Sequence, residues 1–545
     1  MSDQNNSVFE QRVASLRELL DQNDLDALIV SHDDEYLSYE LNEDEERLKY
    51  ITGFSGSAGY AVITSNDLKI NEENIEINQD NTENGIVVDR DCAVFVDGRY
   101  VVQVKEQIDS DIFQDFDLAK VKPAKWILSV MPKNSTVGID INCVSYKEYI
   151  SIKNELGMNN INLVATENNL VDKIWTDKPA SVISEISIFP DEYNGCPSPQ
   201  KRQLIAQTLR DKDLDATVIC DPESICWLLN IRGKDRAYLP VINCKMVAYS
   251  NEALEWYINP NHFKDENLQD QLQEHIGHID IFPEEAFDDV LDRLCSSSCT
   301  VYVDPETTNA HVMTKLYSGG AKVSEGLGLC QMPKACKNHI EVAGEYKAHI
   351  KDGIAMCRFI SWLDNLTALD KPTDSDETFL RRVEGVDEAE LAARALSFRK
   401  VEAGFIEPSF ATISALGPNA AMCHYNHENE ATPRALGKDC LYLIDSGAHF
   451  IEGTTDITRT ILVGPHITDE IKRMYTLVLK SHIALATLIF PKGTSGIQID
   501  AIARRPLWDC GFDFAHGTGH GVGHVLSVHE GPQTISSRRS TVPLV

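Results

Sequence analysis

The chain has 545 residues, a quarter of them charged, and a formal net charge of −34. That acidity argues against a nucleic-acid polyanion or an anionic membrane surface as the main partner. No apolar run approaches the ~20 residues of a membrane-spanning helix, and the length predicts about three or four domains. The excess charge is uneven: residues 401–545 carry a net −3 and the first 400 residues carry −31.

The opening residues, Met1 to Asn6, are polar and acidic, unlike a secretory signal or an Arg-rich transit peptide. The fourteen cysteines contain no CxxC pair and lie mostly in apolar contexts, so they read as buried free thiols of a reducing compartment, by default the cytoplasm. An internal repeat follows. Arg12 to Val30 is echoed by Lys201 to Ile219, 189 residues later; in both, apolar positions at helical spacing give way through Leu-Asp-Ala to an apolar strand. Two tandem α/β domains are therefore expected, over 1–175 and 196–325. A disordered Asn- and Glu-rich insertion is expected at about 66–85, and a Pro- and Gly-bearing linker at 190–197.

A third domain, 326–545, opens with a long helix from about Asn338. Val342, Tyr346, Ile350, Ile354, Cys357, Ile360 and Leu363 fall mostly on one apolar stripe. Glu341, Glu345, Lys347, Lys351 and Asp352 read as its solvated face, and Ile483 to Phe490 as the end of a buried helix. Within this domain an apolar run ends in Asp445-Ser446-Gly447, and Gly453-Thr454-Thr455-Asp456 follows. A hairpin turning at Phe450-Ile451 would set Asp445 opposite Asp456, with Cβ atoms about 5 Å apart. Two facing carboxylates call for a proton or a divalent cation between them. In another register both would sit in solvent, and Arg459 could pair with either. Downstream, His516, His520, His524 and His529 fall within fourteen residues, interleaved with Gly517, Gly519, Gly521 and Gly523. The glycines make a helix implausible and favour a loop running into a strand. So dense a group points to a metal-binding or catalytic role for at least one histidine. His424, after Gly417-Pro418-Asn419, taken alone reads as a hydrogen-bonded loop residue.

The blocks LIDSG, GTTDITRT and HGTGHGVG…VHEGP together resemble the M24 metallopeptidases of the pita-bread fold, and within them the long, three-domain cytosolic aminopeptidase P (Xaa-Pro aminopeptidase) family. Gly53 to Gly59 (GFSGSAG), Val96 to Tyr100 (VDGRY), Trp227 to Gly233 (WLLNIRG) and Lys347 to Gly353 (KAHIKDG) extend the resemblance over nearly the whole chain. It implies an α/β fold: two tandem creatinase/prolidase N-terminal-like α/β domains and a pita-bread α+β catalytic domain incomplete at its C-terminus. It implies Asp445, Asp456 and His520 as metal ligands, and His424, His516 and His529 as catalytic histidines that hold substrate and move protons. A complete site would hold two divalent ions, manganese by preference, with Zn2+ or Co2+ as alternatives. The substrates would be peptides with proline at position two, and the enzyme a homodimer. The family's two Glu ligands have no counterpart here, since Glu530 is the sole acid after His520. The sequence is therefore expected to be a truncated member with little hydrolysis of its own unless another chain supplies carboxylates. A catalytically inactive peptide-binding relative and a proline dipeptidase-like peptidase are the other readings.

Overall fold

A computed structural model describes residues 2–66, 86–368, 376–430, 432–464, 466–537 and 541–545. The expected insertion, apart from Asn66, lies outside the described residues. The chain divides into two compact units. The first comprises Met1–Ile188, Ser198–Ala237 and Val241–Leu329; the second comprises Phe189–Pro197, Tyr238–Pro240 and Cys330–Val545.

The first unit contains the repeat. Val13, Leu16 and Leu20 line the buried face of helix Ser2–Gln22, as Ile205 and Leu209 do for helix Ser198–Asp211. Asp24 and Asp213, 189 residues apart, both turn the chain at φ 54°, after which Leu25 and Leu214 enter the core. Each repeat then builds a six-stranded sheet. In the first, Phe113–Asp117, Cys92–Val96, Gly59–Thr64, Ala27–Ser31, Thr136–Ile139 and Asn162–Ala165 lie side by side in that order. In the second the order is Asp280–Phe282, Leu254–Ile258, Cys244–Tyr249, Ala216–Ile219, Thr300–Val303 and Lys322–Glu325. Order and strand sense agree throughout: in the order given, each sheet has one parallel pair, then two antiparallel pairs, then two parallel pairs. The four strands nearest the centre of each sheet are almost wholly buried.

The second unit is organised by helix His339–Thr367, started by a capping box between Asn338 and Glu341. Its buried face corrects the expectation. Val342, Tyr346, Ile350, Ile354 and Cys357 are exposed, while Gly344, Ala348, Asp352, Ala355, Met356, Phe359 and Leu363 face inward. The cause is close approach: a Cβ on Gly344 would stand 2.1 Å from the carbonyl oxygen of Glu452. The near face is therefore made of small residues that a hydropathy stripe overlooks. Two charges expected in solvent are buried with partners, Glu341 in the cap and Asp352 against Arg399. Ile483 and Phe490 are exposed and Ile489 is 94 % exposed, so the segment after helix Asp469–Ala486 is a surface one. The 190–197 segment is not a bare linker but carries the short helix Asp191–Asn194. All fourteen cysteines are free; six are buried and Cys336, Cys357 and Cys423 are exposed. Among the described residues, no helix is long and apolar enough to cross a membrane.

Candidate metal centre

Strand Cys440–Ser446 buries Tyr442, Ile444 and Ser446, with Tyr442 and Ile444 packed among Phe359 and Leu363 of the long helix. Period-two alternation therefore presents Asp445 on the other face. The strand pairs antiparallel with Ile457–Val463, Asp445 opposite Thr458. The chain turns between Phe450 and Gly453, two places from the expected register. A slip of two preserves which face each side chain takes, so Asp445 and Asp456 still come close, diagonally, near enough for the charge of Asp456 to act on the Asp445 carboxyl.

The ribbon bends where Asp456 leaves it. A Cβ on Gly447 would lie 2.0 Å from the carbonyl oxygen of Thr455, so only glycine permits this approach. Thr455 fixes the bend by exchanging backbone and hydroxyl hydrogen bonds with Ala448 and by accepting one from Ser409 at 2.8 Å.

The histidines arrive on a second ribbon, Gly519–Gly521 paired with Glu530–Ile535, with a bulge between His520 and Gly521. Helix Gly496–Trp508 braces it: Asp500 accepts from Thr518 Oγ1 at 2.6 Å, and Arg504 donates to the His516 carbonyl at 2.9 Å. His520 Nδ1 donates to the Gly521 carbonyl at 2.7 Å, which leaves Nε2 facing Asp456 Oδ2 at 3.3 Å. The His529 ring stands edge-on to His520, centroids 4.5 Å apart. Asp456, His520 and His529 each offer a ligand atom, all within 4.8 Å of one another.

The remaining expected residues divide. His516 is exposed, turned to the carbonyl of Gly517 and stacked near Phe514, and is not part of this cluster. His424 is half-buried on the loop after Gly417–Ala421, and it too is not in the cluster. Its loop is organised by Glu388, a fully buried carboxylate that sequence reasoning missed. Glu388 accepts from Leu416 N, Asn419 Nδ2, Tyr425 OH and Arg434 N at 2.7–3.0 Å. Nothing in a helix-initiating Asp-Glu pair signals that role. His524 is a buried structural group, bonded to Glu345 at 3.3 Å and to the Tyr193 carbonyl at 3.0 Å. Glu530, also buried, pairs with Lys337.

The electrostatics suit a cation. Burial, then the charge of Asp456, pushes Asp445 up to about 6, and its Oδ1 is buried without a hydrogen-bond partner. His520 is raised although burial opposes it, because Asp456, the Gly521 carbonyl and Asp445 all favour its charged form. Two neighbouring carboxylates, with an imidazole nitrogen beside them, form a donor set for a divalent ion of borderline hardness.

Metallopeptidase family M24 matches residues 344–545, and two creatinase/prolidase N-terminal domain families match residues 12–174 and 177–341. The chain is 32 % identical over 538 residues to the Xaa-Pro aminopeptidase ApepP of Drosophila melanogaster, covering 97 % of this chain and 81 % of that protein. It is 31 % identical over 575 residues to the Aminopeptidase P1 of Arabidopsis thaliana, covering 98 % and 83 %. Among solved structures, a Caenorhabditis elegans X-prolyl aminopeptidase, described as a cytosolic enzyme with a di-nuclear active site, matches with a TM-score of 0.86 at 28 % identity. That match covers 98 % of this chain and 83 % of the other.

Proposed function

The chain belongs to the Xaa-Pro aminopeptidase family of M24 metallopeptidases, and from that premise we propose that its second unit binds divalent metal for hydrolysis of the N-terminal Xaa-Pro bond of peptides. The observation that carries the reading is the convergence of Asp445, Asp456 and His520, with Asp445 Oδ1 left without a partner. These three are the proposed ligands. Two Mn2+ ions are the proposed complement, and when bound they would lower the pKa of a shared water and polarise the scissile carbonyl.

The chain's own residues set the geometry. The Gly521 carbonyl holds the proton of His520 on Nδ1 and so reserves Nε2 for metal. His529, edge-on to His520, is proposed to hold or pass a proton at the centre. His424 and His516 are proposed to engage substrate from their loops. Among the described residues, Asp445 and Asp456 are the carboxylates proposed at the centre, and activity is expected to be weak unless further carboxylates complete it. A cytoplasmic location and a homodimer complete the proposal.

The test is release of the first residue from an Xaa-Pro-Xaa peptide by purified protein with and without Mn2+, Zn2+ or Co2+, together with direct titration of each metal. Metal binding that disappears in Asp456→Asn, with hydrolysis abolished by chelator, is the expected result. Undiminished binding by Asp456→Asn would sink the ligand assignment, and metal-independent cleavage would sink the mechanism.

A further inference from the structure

The two repeats of the first unit meet through contacts that are themselves symmetric. Strands Thr136–Ile139 and Thr300–Val303 correspond at a spacing of 164 residues, as do the helices that follow, Tyr146–Gly157 and Ala310–Ser318. Their N-caps are Ser145 and Asn309, each accepting from the third helical N–H, of Glu148 and Val312. These two cap residues are paired to each other in an isolated antiparallel bridge. Around it run four backbone hydrogen bonds. Tyr146 N donates to Thr308 O at 3.0 Å and Ala310 N to Val144 O at 2.9 Å; Lys147 N donates to Pro305 O at 3.0 Å and His311 N to Ile141 O at 2.9 Å. Adding or subtracting 164 turns the first bond into the second and the third into the fourth. The side chains follow the same rule. Ala310 lies in the core of the first repeat, and Tyr146, its counterpart, packs against the core of the second.

Only a two-fold axis between Ser145 and Asn309 produces such reciprocity, and a two-fold interface is self-complementary. We infer that the face of the second repeat centred on Asn309 fits a second copy of itself, and that the first repeat occupies this face in place of another chain. What selects the first repeat is the asymmetric part of the contact. Its acidic segment 33–46 is longer than its counterpart in the second repeat. Arg236, fully buried in the second repeat, donates to Glu45 at 2.8 Å, to the Glu40 carbonyl at 3.0 Å and to Asp34. Lys245 adds Glu35 at 3.0 Å, and Tyr36 donates to Glu284. Two second repeats facing each other would leave Arg236 of each without these carboxylates, so charge specifies the partner while the backbone would accept either.

The test uses the whole chain carrying an engineered protease site within 177–180, cleaved, unfolded and refolded with both pieces present under mild oxidation. Asn309→Cys reports self-pairing, because only a two-fold contact places residue 309 against itself. In the Arg236→Met background, Asn309→Cys is expected to yield a 309–309 disulfide between two larger pieces, identified by peptide mapping because Cys336, Cys357 and Cys423 of that piece are also exposed, and several-fold enriched over cleaved Asn309→Cys alone. Cleaved Ser145→Cys/Asn309→Cys is expected to link the smaller piece to the larger and so reports that the interface has re-formed. Formation of that 145–309 link without any 309–309 product in either background overturns the inference. So does failure of the 145–309 link in the uncleaved double variant.

Discussion

Burial and the charge of Asp456 make Asp445 hold its proton more tightly than a free carboxyl, and that effect can be measured. A carboxyl raised from 3.8 to about 6 binds protons more tightly in the folded than in the unfolded chain, so it removes stability as pH rises through that window. Asp445→Asn is expected to stabilise the metal-free protein at pH 7 by on the order of 1–3 kcal/mol, while weakening Mn2+ binding at least ten-fold. Urea unfolding with and without chelator, and metal titration, read the two effects. His32 carries the opposite sign. Burial holds it down at about 4, with Arg99 adding to this and Asp34 opposing it. The unfolded chain therefore takes up the extra proton between about 6.5 and 4, and stability is lost as pH falls through that window. In His32→Gln the decline in Tm from pH 7 to 4.5 is expected to be shallower than in the parent. Of these residues, Asp445, Asp456 and His520 were singled out by the motifs that carry the family resemblance, and the structure brings them near one another. His32 and Glu388 were not, because their roles come from burial among groups remote in sequence.

Between elements, the buried pair Asp352–Arg399 ties helix His339–Thr367 to helix Glu388–Arg399, and Arg399 reaches on to the Ser446 carbonyl, next to Asp445. Asp352→Ala leaves a guanidinium buried and unpaired and is expected to cost about 3–5 kcal/mol. The pair Asp352→Leu/Arg399→Met should cost less than either single change, a double-mutant cycle in urea being the measurement. At this scale the sequence was partly misleading. The ribbon register was off by two, which left the facing of both aspartates intact because side chains alternate with period two. The stripe on the long helix was inverted from Val342 to Cys357, though not at Ile360 and Leu363, because hydropathy rewards Tyr346 and Ile350 and gives nothing to Gly344 and Ala348, the residues whose smallness lets the helix dock. The repeat, by contrast, was readable to the residue: the aspartates just before each Leu-Asp-Ala, Asp24 and Asp213, turn the chain at one and the same φ.

Over the whole molecule, the net charge of −34 is concentrated in the first 400 residues, so self-repulsion opposes the compact state and salt screens it. Tm is expected to rise by a few degrees between 0.05 and 0.5 M NaCl, followed by scanning calorimetry. The two ribbons of the metal centre are also joined to each other. Val525 N donates to Thr454 Oγ1 at 3.0 Å across 71 residues of chain, and Val525 holds φ at 51°, a strained value for a β-branched residue. This contact has a consequence in time. Closing a loop of that length and accepting that strain can follow only after the flanking ribbons exist, so the aspartates and His520 come together late on the folding path. Metal added during refolding should therefore leave the refolding rate unchanged and slow only unfolding, as stopped-flow traces in Mn2+ and in chelator would record.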